Sequence, residues 1–505
     1  MTSLYQSGKI GVHAPEKADM IKTNYIIRCA VLLLLSAFFF AGLSCSKSDD
    51  STAGAIVGYA VKSDQIDNSG ITVTLYRTVA ADPQISSVLN QYSIIGFAVN
   101  QSCLFDHRTE TPIQTTTTNN AGQFAFQDVA DGSYNVVAED SGYGFRYALD
   151  LTVRGGETRP DSLILYPIEE PPALITQNTT WQAGHHYRIV QDVQVADGVT
   201  LTIQLGAVVR FAGTTGYTKV DVRGTLNSQG EPNEFIRWIR EDPERPWNQV
   251  NIQNSGGAQN NIIYNLFDGG TIGLRCSYSN LSLQSSIIRN CIGSGVSIEH
   301  VIDFRVMNCI FQSCSTGTGM SLTYADAGEI SYNVFYDNNS GISCTTYSFP
   351  RIHGNWVGSC EVGMFFQQLI PGDGDSLIVD HNQIQDCSAG IRASGSTFGR
   401  VTHNNVSNCQ DYLISIRPFP AGGYSQPLIN YNNITNVGSG GHLIELALAV
   451  NTHDVDATSN WWGITNINTL DNLIYDGNDP GNPATGVVIY MPILFQPVPD
   501  AGITW

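Results

Sequence analysis

Lysine is almost missing from this sequence: beyond Lys62 the only one is Lys219. Charged residues of all kinds make up 14 % of the 505 residues, and the net charge is −20. A nucleic-acid binder needs lysine and arginine over the phosphates, so this balance excludes that class. It equally excludes a polyanionic glycan held by charge alone. No amphipathic helical periodicity follows residue 45, which excludes a helical core. No CxxC pair occurs, and His185, His186 and His353 have no partner at ligand spacing along the chain. Long apolar runs are also scarce. The one that stands out is residues 29–43, CAVLLLLSAFFFAGL.

That run follows Lys22 and Arg28 and is shorter than the roughly 20 residues of a membrane span. A basic segment followed by a short apolar stretch is the pattern of an export signal. Met20 is the expected true start, because residues 1–19 are polar. The run ends in Ala41-Gly42-Leu43-Ser44-Cys45, which resembles a lipoprotein processing box, although Leu43 and Gly42 depart from its usual order. The resemblance implies lipid on Cys45 and a signal peptide over 1–45. Residues 46–53, with Ser46 and the acidic pair Asp49-Asp50, then read as a tether, similar to those of lipoproteins sent to the outer membrane and cell surface. The expected location is therefore the outer membrane or cell surface, with secretion or the periplasm as the alternative.

What is abundant is Gly, Asn, Ser and Thr in short alternating patterns. Ile71-Thr72-Val73-Thr74-Leu75-Tyr76 alternates as a strand does. So do Gly122-Gln123-Phe124-Ala125-Phe126 and Asp131-Gly132-Ser133-Tyr134-Asn135-Val136-Val137-Ala138. Period-two segments cut by glycine turns predict a small β-sandwich over 54–167. The G-x-F-x-F and D-G-x-Y-x-V-x-A runs resemble the carboxypeptidase regulatory-like domain, which implies a non-catalytic spacer or interaction module. Residues 86–112 break the pattern and read as an inserted loop. Pro167 to Pro172 predicts a stiff linker over 168–173.

From 174 to 505 the chain repeats every 21 to 28 residues. One apolar series is Phe267, Ile288, Phe311, Phe335, Val357, Ile384, Val406 and Ile434. Two residues before each stand Asn265, Ser286, Cys309, Asn333, Asn355, Asn382, Asn404 and Asn432. Three residues earlier again is a second apolar series, from Ile262 to Ile429. Cys291, Cys314, Cys360, Cys387 and Cys409 recur three residues after the first series. The period predicts one solenoid coil per repeat. Apolar ladders fill its inside, and an Asn ladder sits in a tight turn where asparagine tolerates the backbone. The stacked cysteines read as small buried apolar groups. Nine cysteines remain beyond Cys29 and Cys45. The number is odd, and pairing between coils stays open.

The series resembles the right-handed parallel β-helix of the pectate-lyase-like superfamily. Val199 to Ile203, Gly206 to Phe211 and Val222 to Leu226 resemble its opening coils, and Asn460-Trp461-Trp462-Gly463 with Val488 to Leu494 its closing segment. The predicted fold is all-β, a right-handed parallel β-helix preceded by a small β-sandwich. Fold alone does not give function. The polygalacturonase signatures are absent in order. Glu299, Arg392, Arg417 and Glu445 are expected to face outward without forming an acid pair on adjacent coils, and Asp303 with Arg305 and Asp380 with His381 read as surface polar positions. Pro371-Gly372-Asp373-Gly374-Asp375 offers Asp373 and Asp375 as a calcium candidate, against a solvated turn as the simpler reading. The residue just before each ladder Asn gives Tyr264, Tyr332, His381, His403 and Tyr431, interrupted by Ser285, Asn308 and Gly354. This stripe is the candidate sugar-binding face, although aromatics also favour β surfaces for plain structural reasons.

The leading expectation is a non-catalytic, lipid-anchored surface protein that binds a polysaccharide or surface glycan. It is expected to be monomeric, with no cofactor beyond a possible calcium ion and no nucleic-acid partner. The alternative is a β-helix polysaccharide lyase or glycoside hydrolase, and a third reading is a periplasmic maturation factor.

Overall fold

Each Asn of the ladder sits at the same corner of a coil, fully buried, and the coils stack through it. In the computed structural model, which describes residues 53–213, 218–253, 257–301, 303–369, 377–395, 397–417, 425–446 and 452–504, Asn355 donates its backbone N–H and its Nδ2 to Oδ1 of Asn382, at 2.9 and 3.0 Å. Asn382 does the same to Asn404, Asn404 to Asn432 and Asn432 to Asn460. Each Nδ2 also bonds carbonyls of its own coil and of the coil before, as Asn382 does to Asp380 and Ile352. The ladder thus satisfies a buried turn in which backbone groups have no strand partner.

Three parallel sheets enclose the core, and this corner joins the first to the second. The first runs from Thr179–Trp181 to Leu428–Asn430 and the second from His186–Ile189 to Asn433–Val437, eleven strands each. The third, thirteen strands, runs from Leu174–Ile175 to Ile474–Tyr475. Every neighbouring pair is parallel and one coil apart, as in Ile352↔Val379 and Val357↔Ile384. Parallel coils fill their inside with the apolar series, and the shared core runs from Ile175 to Ile493. Trp462 closes it near the C-terminal end, fully buried.

The repeat cysteines belong to this interior. Cys291, Cys314, Cys360, Cys387 and Cys409 are buried and unpaired. On the coil between Cys314 and Cys360 the position holds Asn338, which accepts from the Cys314 N–H at 3.0 Å. Burial also pushes the thiols of Cys276 and Cys309 up to about 12, so they behave as small apolar side chains.

The N-terminal sandwich has one sheet built on Gly54–Lys62 and Gln123–Val129 and another on Thr72–Arg77, Gly132–Asp140 and Gly144–Val153. Ile56, Val73, Phe124, Phe126 and Val136 are among the side chains between them. The segment read as a loop holds two short helices, α1 (Pro83–Gln91) and α2 (Gln101–Leu104). They lie on the outer face of the second sheet. Ile85, Val88, Ile95 and Cys103 pack there against Leu266, Ile287, Ile310, Val334 and Trp356, which form one column of strand partners. Below this column Arg237 is buried and donates to the carbonyls of Phe105 and Ser102 at the end of α2. Residues 168–173 are built into both parts. The Ile168 N–H donates to the carbonyl of Gly142, and Glu169 pairs with Tyr187 of the second sheet. Among the described residues no helix is long and apolar enough to cross a membrane. Residues 1–52, with Met20, the apolar run, Cys45 and most of the tether, lie outside the described residues, as do Asp373 and Asp375.

Replacing Asn382 by Ala removes the acceptor of two buried donors on Asn355, and each costs about 1–3 kcal/mol when unpaired. The expected loss of unfolding free energy is about 3 kcal/mol by denaturant titration. Asn382→Ser, the residue found at position 286, should cost less, because Ser286 accepts from the Asn265 N–H through its hydroxyl.

Candidate functional site

The five turn residues all take left-handed backbone, with φ of 53 to 57° at Tyr264, Tyr332, His381, His403 and Tyr431. They occupy the turn from the first sheet into the second, one step outside the Asn ladder. The structure does not make them one stripe. Tyr264 meets Phe235 of the solenoid at 5.7 Å and Phe97 of the inserted segment at 6.2 Å. The carbonyl of Tyr332 accepts from the Gly96 N–H of the same segment. His381, His403 and Tyr431 do stack, at 5.2 and 5.7 Å with planes 10 and 18° apart. Rings stacked on one another occupy each other's faces, so they offer solvent their edges.

A second row, which sequence spacing did not single out, stands in the turn from the third sheet into the first. Tyr278, His300, Tyr324 and Tyr347 stack at 4.7, 4.6 and 5.9 Å. All four are left-handed in backbone and exposed. Their signal was a coil position shared by Tyr and His, hidden because the turn changes length from coil to coil.

Between these two turn rows lies the outer face of the first sheet. Strand register brings Asn261, Ser282, Arg305, Glu329 and Arg351 into one line across successive coils. With Asp303 beside them they line an open groove of about 550 Å³. Arg305 pairs with Glu329 at 3.3 Å. In the next line outward, His353 faces Asp380 across one coil.

Asp380 is the centre of the site. Its side chain is 9 % exposed. Arg351 holds both of its oxygens, Nε to Oδ1 at 3.1 Å and an amino nitrogen to Oδ2 at 2.7 Å. The Nδ1 atoms of His353 and His381 both stand 3.0 Å from Oδ2. Burial opposes ionisation of this carboxyl, but the bonds from His353, Arg351 and His381 outweigh it and hold it well below the usual carboxylate range. The arrangement is consistent if each imidazole carries its proton on Nδ1 and donates it to Asp380. The Nε2 of His353 is then free to accept from the Tyr332 hydroxyl, 3.2 Å away. A carboxylate that orients an imidazole, which in turn faces a hydroxyl, is the geometry of a general base.

Two expectations change here. Asp380 with His381, and Asp303 with Arg305, read as surface polar positions; Asp303 and Arg305 line the groove together with Arg351, and Arg351 in turn holds Asp380. His353, without a ligand-spaced partner along the chain, gains two from 27 and 28 residues away. The outward residues of the third sheet form ion pairs instead of a site: Arg275 with Glu299 at 2.5 Å and Arg417 with Glu445 at 2.7 Å, while Arg392 donates to the Tyr412 hydroxyl.

Residues 98–164 match the family model for the second β-sandwich domain of BOS complex subunit NOMO1-like proteins. No curated protein matches the chain in sequence. Among solved structures, the periplasmic alginate epimerase AlgG is similar at 11 % identity over 58 % of this chain and 78 % of that one, with a TM-score of 0.37. The Agl-KA catalytic domain is similar at 10 % identity over 84 % of each chain, TM-score 0.35. The Dettilon tailspike protein is similar at 12 % identity over 65 and 62 %, TM-score 0.28. The parallel β-helix itself is established by the strand register described above.

The pH dependence of stability follows from Asp380. An unfolded Asp ionises near about 3.9, and the folded carboxyl ionises at lower pH. Its contribution is therefore complete above about pH 4 and is lost as pH falls below that value. Asp380→Asn should be less stable at neutral pH and show a shallower acid limb when denaturant midpoints are compared from pH 7 downward.

Proposed function

We propose that this chain is an exported, lipid-anchored surface protein whose β-helix binds a polysaccharide along the groove of the first sheet. One observation carries the reading. The groove follows the coil axis and is lined by polar side chains of both signs, one from each successive coil. A coil advances about 4.8 Å, close to the length of one pyranose unit in an extended chain. Successive sugars would meet equivalent hydrogen-bonding groups, with the edges of His381, His403 and Tyr431 continuing the track. The sandwich, read as a carboxypeptidase regulatory-like module, braces the solenoid's flank through α1 and α2. Residues 46–53 serve as the tether and Cys45 as the lipid site.

A second reading, a polysaccharide lyase or glycoside hydrolase, is favoured by the Tyr332–His353–Asp380 relay, which is more than a plain binding surface needs.

The purified chain, screened against a glycan array, should bind a defined polysaccharide. Arg351→Ala should weaken that binding about tenfold, the scale of one charged hydrogen bond, while Tyr278→Ala on the other turn row should leave it unchanged. Binding with no new reducing end or unsaturated sugar supports the binding protein; product that disappears in Tyr332→Phe supports the enzyme; absence of any hit removes both. In cells, labelled fatty acid should enter the wild type and not Cys45→Ala, and equal labelling of the two would end the anchor reading.

A further inference from the structure

The turn row between Tyr332 and His381 has a gap, and the gap is filled in a particular way. At that coil the turn residue is Gly354, with φ of 63°. A Cβ there would lie 2.8 Å from the Tyr332 ring. The Tyr332 ring takes the space that side chain would occupy, and beside it, at 5.4 Å, stands the ring of His353, one residue earlier on the strand Arg351–His353. That ring leaves the stack. It makes 57° with His381, against 10° between His381 and His403. Its Nδ1 thereby points at the same Oδ2 of Asp380 that His381 approaches from the left-handed turn.

Two imidazole nitrogens and one carboxylate oxygen converge, with all three atoms within 4.8 Å of one another. Each Nδ1 is 3.0 Å from the oxygen. Ligands about 2.0–2.2 Å from a tetrahedral ion stand about 3.3 Å apart, so a small inward or outward shift of one ring admits an ion. We infer that His353, Asp380 and His381 form a binding site for a divalent transition-metal ion of the zinc class. The ligand atoms are the two Nδ1 atoms and Oδ2. Imidazole and carboxylate together suit zinc, cobalt, nickel or copper; calcium and magnesium require a shell of oxygens. Each imidazole binds in its other neutral tautomer, the proton moving from Nδ1 to Nε2.

Arg351 is the competitor. Its amino nitrogen holds Oδ2 at 2.7 Å and stands 3.2 Å from the His353 Nδ1. The ion displaces that nitrogen, while Nε can stay on Oδ1, and Glu329, the cross-strand partner of Arg351, is placed to take the displaced group. Removing the guanidinium should therefore tighten the site.

The test uses the tag-free chain, with Zn²⁺ titrated against a chromogenic chelator. The wild type should take up about one tight equivalent, unaffected by excess Ca²⁺. His353→Ala and His381→Asn should each weaken it about 100-fold or more, compared with the 10- to 100-fold typical of a supporting residue. Arg351→Gln should bind at least as tightly as the wild type, and His403→Ala, a stacked neighbour outside the ligand set, should match it. Because a histidine variant can misfold, Co²⁺-loaded wild type gives an independent reading. Visible ligand-field bands with no thiolate charge-transfer band support the site. A thiolate band would place the ion on cysteines and overturn the proposal. So would a wild type with no tight equivalent, or histidine variants that bind as the wild type does.

Discussion

Stacking coils of unequal length in fixed register is the constraint on which this molecule depends, and the Asn ladder meets it. Repeats of 21 to 28 residues must return to the same corner. A buried side-chain amide can enforce that return because it bonds its own coil, the coil before and the coil after at once. Hydrophobic stacking alone has no such positional sharpness. A one-residue slip would turn each strand's apolar face outward, and it would also leave buried amides unpaired on every coil above it.

The functional consequence is geometric. Residues a full coil apart in sequence become direct neighbours on the outer face, so chemistry is assembled from the variable positions while the fixed ones hold shape. Arg305, Glu329 and Arg351 form one line this way, and His353 meets Asp380. Variation in the turn adds the last adjustment. Gly354 in place of an aromatic residue leaves that space to the Tyr332 ring, whose hydroxyl meets the His353 imidazole that faces the carboxylate.

The parts of this that were legible in the sequence are those repeated coil after coil. The two apolar series, the Asn series and the stacked cysteines could be aligned because every coil imposes the same inward demand at those positions, and the alternating strands of the sandwich were legible for a related reason. The outer face obeys no such repetition. Arg351 and Asp380 each occur once, and their pairing depends on counting coils whose turns differ in length. The cover over the second sheet was written in Leu266, Ile287, Ile310, Val334 and Trp356, an apolar column on a face that would otherwise meet water. Its change to Gln383 and Asn405 on the next coils marks where α1 and α2 stop. That column was visible in the same alignment, but its meaning required knowing that the inward positions were already filled by the neighbouring series.

Coil register places one carboxylate between two imidazoles and fixes which nitrogen of each carries the proton. Nitrogen-15 NMR of the chain labelled in histidine, without added metal and with the imidazoles neutral, reads that directly. His353 and His381, assigned by substitution, should show protonated Nδ1 and bare Nε2, and both should lose this preference in Asp380→Asn. Two ordinary Nε2–H imidazoles, indifferent to Asp380, would contradict it.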